Sequence, residues 1–113
     1  MGVPKMTVPV LSILSTMLEE PEEERYGLEL AARAALTTGT IYPALARLEQ
    51  AGWLSSRWED VDPGLAGRPR RRLYRLTGEG VLAATWGVEQ HARRLALATG
   101  KSTRRRLPGI QPT

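Results

Sequence analysis

Six residues able to make hydrogen bonds or allow close backbone contacts, Thr38, Gly39, Thr40, Tyr42, Pro43 and Arg47, share one short stretch of the chain, LTTGTIYPALARLEQAG over residues 36–52. Hydroxyls, a phenol and a guanidinium are the groups that meet base edges and phosphates, and no nucleophile–base pair or metal-ligand spacing accompanies them. A second set follows further along: Arg68, Arg70, Arg71 and Arg72 flank or follow Pro69. Guanidiniums at that density fit a polyanion, because each can hold a phosphate in a fork of parallel hydrogen bonds. The chemistry implied is recognition rather than turnover.

The elements that must position these groups are legible in the apolar spacing. Ile41, Leu45 and Leu48 recur at i, i+4 and i+7 and form one inward stripe, which predicts a helix with the polar residues on its other face. Thr37 or Thr38 is its expected N-cap and Gly52 its stop. WLSSRWE then alternates as a strand, with Leu54, Ser56 and Trp58 on one face and Trp53, Ser55 and Arg57 on the other. DVDPGLAGRPR carries too many glycines and prolines for regular structure and reads as a hairpin tip. RRRLYRLT alternates again, with Tyr74 and Leu76 inward. Alternation places Arg71 opposite to Arg70 and Arg72, so at least two of these arginines should project toward a duplex. A helix followed by a basic hairpin is the order of a winged helix-turn-helix. The fold class expected is mainly α with a small β hairpin, plus a C-terminal dimerisation helix.

In the remaining segments, residues 1–5 read as a loose arm. Thr7–Leu18 is a first helix capped by Thr7, with Val10, Leu14, Met17 and Leu18 inward. The acidic run from Glu19 to Glu24, broken by Pro21, reads as an exposed, solvated connection. Tyr26–Ala35 is a short second helix. Thr77 caps a last helix from Gly78 to about Ala98. On it Val81, Thr85, Val88, Ala92 and Leu95 form one seam, and Leu82, Trp86 and Leu97 a neighbouring flank. One seam is expected to pack at home and the other on a second copy. Gly87 weakens this helix unless it permits a close approach.

Composition bounds the rest. The chain has 113 residues, 42% of them hydrophobic, with no Phe, no Cys and 5% aromatics, enough for one domain with a lean aliphatic core. Without cysteine, disulfides and thiolate metal sites are excluded, and the single histidine, His91, makes no metal site alone. No cofactor is expected. Neither a membrane-spanning run nor a signal peptide is present, so the expectation is a soluble, cytoplasmic protein. The net charge of +4 conceals a split. Residues 1–66 hold five basic and ten acidic side chains, whereas residues 67–113 hold eleven and two. Positive charge thus gathers in the hairpin and tail, the footprint of an anionic partner.

Three ordered stretches, YGLEL at Tyr26–Leu30, GTIYPALARLEQAGWL at Gly39–Leu54 and GRPRRRLYRLTGEG at Gly67–Gly80, together resemble the PadR-type transcriptional regulators. The resemblance implies a small winged-helix repressor that works as a dimer. Two departures stand out: Thr38 replaces the proline often found before the glycine, and the last helix is short. In some members an aromatic on that helix binds planar drugs at the dimer interface; Trp86 is the residue here that could do so, or it is an interface core residue.

The site residues expected for DNA are therefore Thr38, Gly39, Thr40, Tyr42, Pro43, Arg47, Arg68, Arg70, Arg71 and Arg72. Those for the dimer are Val81, Thr85, Trp86, Val88, Ala92 and Leu95. Tyr42 is expected on DNA rather than packed under the wing, and Arg47 on a phosphate rather than on a guanine or a neighbour such as Glu49. The domain limits are residues 6–77 for the winged helix, 78–98 for the dimerisation helix and 99–113 for a disordered basic tail. Within that tail Arg104–Arg106 add a non-specific DNA contact or serve solubility. Partners are double-stranded DNA, a second copy and a small-molecule effector at the dimer interface. An enzyme is excluded by the absence of any P-loop, dinucleotide or nucleophile motif. The competing reading is a winged-helix module that binds an acidic protein partner.

Overall fold

The computed structural model describes residues 3–99. Helix α1 spans Val8–Leu18, and Thr7 caps it by accepting the Val10 N–H, with Pro9 tolerated in the first turn. A two-residue strand β1, Arg25–Tyr26, leads into α2, Gly27–Ala34. Ala35 closes α2 in the left-handed region at φ 57°, and the Leu36 N–H returns to the Ala31 carbonyl. That tight turn delivers α3, Thr38–Gln50, with Gly52 at φ 82° just past its end, where a residue with a Cβ is strained. Strands β2, Leu54–Trp58, and β3, Arg72–Leu76, form the hairpin, and α5 runs from Gly78 to Ala98 behind its Thr77 cap.

Two local readings are corrected. The sheet has three strands in the order β1-β3-β2, all antiparallel, because Arg25 and Tyr26 pair with Tyr74 and Leu73. A two-residue strand is too short to show alternation. The hairpin tip holds one turn of helix, α4, Pro63–Ala66. Asp62 caps it by accepting the Gly64 N–H at 2.8 Å, and Gly67 at φ 72° ends it. Cap, proline, then glycine is a complete start and stop within one turn.

The core joins α1, α2, α3, the sheet and the first half of α5. Ile41, Leu45 and Leu48 are wholly buried as the spacing required, with Ala44 beside them. Ile13, Leu14, Met17 and Leu30 fill the space opposite, and Trp53, Leu54, Tyr74 and Leu76 cover it from the sheet side. Leu18 is half-buried. Trp58, the last residue of β2, is exposed although it shares the strand face of buried Leu54.

The acidic connection is only partly solvated. Glu20 pairs with Arg25 at 2.5 Å, and Glu24 holds Arg57 of β2 through two bonds of 2.7 Å. Arg25 is itself buried and also binds Glu29 at 2.7 Å, so these acids pin the first strand rather than merely extending a loop.

Helix α5 packs at home through a third face, the buried Gly80, Ala84 and Gly87, with Gly80 against the Trp53 backbone and Gly87 against Met6. Val81 lies against the same core. A Cβ on Gly87 would sit 2.6 Å from the Met6 side chain, so the chain just before α1 is docked on α5 at Met6. Thr85, Trp86, Ala92 and Leu95 are exposed, as are Leu82 and Leu97. Both expected seams therefore leave apolar surface uncovered, while Val81 and Val88 are half-buried. Residues 100–113, including Arg104–Arg106 of the expected tail, lie outside the described residues. Among the described residues no helix is long and apolar enough to cross a membrane.

Candidate nucleic-acid interface

Helix α3 presents the expected polar face. Thr38, Gly39, Tyr42, Pro43 and Arg47 are exposed, together with Ala46 and Gln50, and Thr40 is half-buried. Thr37 occupies the cap position but its hydroxyl binds no backbone N–H; it donates instead to Thr40 Oγ1 at 3.2 Å. No cap side chain therefore covers the first-turn N–H groups of α3, which are suited to an anion. Pro43 supplies no N–H, so the Gly39 carbonyl loses its normal helical donor at the exposed start of the helix.

The two edges of this face differ. Tyr42 and Glu49, seven residues apart, lie along the edge toward the wing, while Arg47 lies on the other edge beside Pro4, Lys5 and Thr7 of the arm. Arg47 does not pair with Glu49: Glu49 is engaged by the wing, and Arg47 has no ion pair among the described residues. The Tyr42 ring lies over Gly27, where an added Cβ would fall 2.5 Å from its Cε1. Gly27 thus makes room for the hydroxyl end of the ring, and the residue as a whole remains 44% exposed.

Between α2 and the hairpin, with Tyr42 of α3 at its edge, runs an open groove of about 920 Å³ lined by Tyr26, Leu28, Ala32, Arg33, Tyr42, Trp58 and residues 68–72. The four wing arginines are not equivalent. Arg68 is bound by Glu59 through contacts of 2.7 and 3.1 Å, and Arg68 holds the Glu59 carboxyl down to about 2. The same carboxylate accepts the Arg71 N–H at 3.2 Å, so the pair closes the base of the tip while its charges cancel. Arg70 donates to the Val61 carbonyl at 2.8 Å and is exposed. Arg71 lies 4.0 Å over the Tyr26 ring, and Arg72 5.1 Å over Trp58, its cross-strand neighbour. Arg70 and Arg71 have no carboxylate ion pair among the described residues.

Sequence reasoning missed Trp58, Tyr26 and Glu49 as parts of this surface. The pairing of Trp58 with Arg72 depends on hairpin register, and a tip containing a helical turn hides that register from the sequence. Among the described residues no group of three or more His, Cys, Asp or Glu could hold a metal.

The sequence profile of the transcriptional regulator PadR-like family matches residues 13–85, which runs from the middle of α1 through the wing into α5. The chain belongs to that family. Its PadR-like fold is also similar to solved structures. One is the PcaV transcriptional regulator from Streptomyces coelicolor, at 26% identity and TM-score 0.71, covering 86% of this chain and 65% of that one. Another is a PadR family transcription regulator from hypervirulent Clostridium difficile, at 26% identity and TM-score 0.63, covering 85% and 97%. A third is a PadR family regulator from Eggerthella lenta, at 27% identity and TM-score 0.61, covering 85% of each. The chain spans just under two thirds of the PcaV length. PcaV has also been solved in complex with its natural ligand. No curated protein matches the sequence. Membership in the PadR-like family makes this chain a transcription regulator with a winged-helix fold, and not an enzyme.

Proposed function

We propose that this regulator is a sequence-specific, cytoplasmic repressor that binds double-stranded DNA as a homodimer. In this reading residues 6–77 form the DNA-binding unit, and Thr38, Gly39, Thr40, Tyr42 and Pro43 of α3 enter the major groove. Arg47 grips a phosphate from the far edge, and Arg70, Arg71 and Arg72 hold the backbone beside the wing. Arg68 contributes by closing the wing tip rather than by its charge. The observation that carries the reading is an exposed, hydroxyl-rich face of α3 whose Tyr42 shares one groove with the arginines of the basic hairpin.

Residues 78–98 supply the dimer contact through Thr85, Trp86, Val88, Ala92 and Leu95, while Val81 of the expected seam packs on the home core. The exposure of Leu82, Trp86, Leu95 and Leu97 along one helix supports this, since exposed apolar patches mark interaction surfaces. Two-fold symmetry then implies an inverted-repeat operator with half-sites about one helical turn, roughly 34 Å, apart. An effector at the dimer interface, beside Trp86, is the regulatory input, by analogy with a PcaV structure that holds a ligand.

The test is selection of duplexes from a random pool by the full chain, followed by binding to the selected and a scrambled duplex. Tyr42→Phe is expected to weaken the selected duplex by about fivefold, on the order of 1 kcal/mol for one lost hydrogen bond, with melting unchanged. Thr40→Ala is expected to relax base preference. Failure to select any sequence, or variants that bind both duplexes like the parent, contradicts α3 as the reader and favours an acidic protein partner.

A further inference from the structure

Glu49 is a carboxylate on the edge of α3 that faces the wing, within a surface proposed to meet phosphates. An anion there weakens binding unless it has another task. Its contacts supply one. Ser56 Oγ of β2 donates to Glu49 Oε2 at 2.5 Å, which uses the only hydroxyl proton and leaves the oxygen lone pairs to accept. Arg72 Nε of β3 donates to that Ser56 oxygen at 3.0 Å, and Arg72 Nη2 lies 3.8 Å from the same Glu49 oxygen. The indole of Trp58 faces the guanidinium from the third side. Among the described residues this is the one side-chain hydrogen-bond chain from α3 to the hairpin; Glu24–Arg57 ties the wing to the acidic loop, and Glu59–Arg68 ties it to its own tip.

We propose that Glu49 is a positioning residue: acting through Ser56, it holds Arg72 at the distance and angle from α3 at which helix and wing engage one duplex together. This rests on reading α3 and the wing as the DNA interface. The rotamer freedom that an arginine loses on docking is here given up during folding, so the wing arrives preorganised. A carboxylate does this better than an amide because its hydrogen bonds are charge-assisted. The effect is on selectivity, since a preorganised wing fits only a duplex whose backbone follows the path set by α3, whereas a loose arginine finds a phosphate on any duplex.

The experiment measures binding of the full chain to a selected and a scrambled duplex at several salt concentrations, for Glu49→Ala, Glu49→Gln, Arg72→Ala and the double variant Glu49→Ala with Arg72→Ala. Thermal melting is the folding control. Glu49→Ala should reduce the preference for the selected duplex by roughly tenfold, the size of a coupled contact. Binding to the scrambled duplex should hold or tighten because a negative charge is gone, and the salt slope should not fall because Arg72 remains. Glu49→Gln, which still accepts from Ser56, should lie between parent and alanine. In the Arg72→Ala background, Glu49→Ala should change the preference by less than about twofold. Effects that multiply independently, in a parent that is selective and salt-sensitive, overturn the proposal alone. Equal loss on both duplexes with lowered melting overturns it as well, by making Glu49 a stability residue. A parent with neither preference nor salt slope overturns the DNA-binding reading and this proposal together.

Discussion

Gly80→Ala lowers the melting temperature by on the order of 15 °C or prevents folding, while Gly78→Ala, two residues earlier on the same helix, leaves melting unchanged or slightly raised. Gly80 is in the first turn of α5, where its N–H bonds to the Thr77 hydroxyl at 2.9 Å. That hydroxyl donates to the Gly52 carbonyl at 2.6 Å, and the Thr77 N–H donates to the Trp53 carbonyl at 3.0 Å. The junction after α3 and the start of α5 are thereby locked together by backbone. A Cβ on Gly80 would fall 1.9 Å from the Trp53 oxygen, an atom that cannot swing aside as a side chain would. Overpacking costs about 1–3 kcal/mol where side chains can yield, and this site belongs at or above the upper end. At Gly78 an added Cβ meets nothing within 4 Å, so alanine there restricts only the unfolded chain. Gly87 is a milder case, because the group it would meet is the flexible end of Met6. Thermal melting of the three variants checks the ranking.

The second large effect concerns charge. Replacing Arg70, Arg71 and Arg72 together with alanine should weaken binding to every duplex and reduce the salt slope by about 0.9 per lost phosphate contact. Arg70 and Arg71 carry uncancelled charge at the groove, and Arg72 is held there by Ser56 and Trp58. The charge-preserving pair Glu59→Gln with Arg68→Gln should leave the slope where it was, because the two groups already neutralise each other at 2.7 Å. A slope lost in the Gln pair and kept in the triple alanine variant contradicts this division of labour.

How much of this was legible in the sequence depends on the range of the interaction. The buried stripe of Ile41, Leu45 and Leu48, the caps at Thr7 and Thr77 and the stop at Gly52 were all readable, because each is set by residues within two turns of one another. The polar face of α3 followed from the same periodicity. The roles within the wing were not readable. Alternation separates Arg71 from Arg70 and Arg72 but says nothing of Glu59, which cancels Arg68, or of Glu49, which reaches Arg72 from α3. The acidic run looked like solvent-exposed filler because its partners, Arg25 and Arg57, come from β1 and from a strand more than thirty residues on. The home face of α5 was missed for a different reason. Gly80, Ala84 and Gly87 have little apolar surface, so a search for hydrophobic spacing passes over the residues chosen for close approach.

The central claim is that α3 and the wing form one DNA-reading surface. The most direct measurement is the dissociation constant of the full chain for a selected duplex and a scrambled one, followed across salt concentration. The account predicts tighter binding to the selected duplex by about a thousandfold or more, the usual margin of specific over non-specific binding. It also predicts a linear fall of log K with log salt, at a slope of about −5 or steeper if two wings each place three arginines on phosphates. Equal affinity for both duplexes with a flat salt dependence would contradict it.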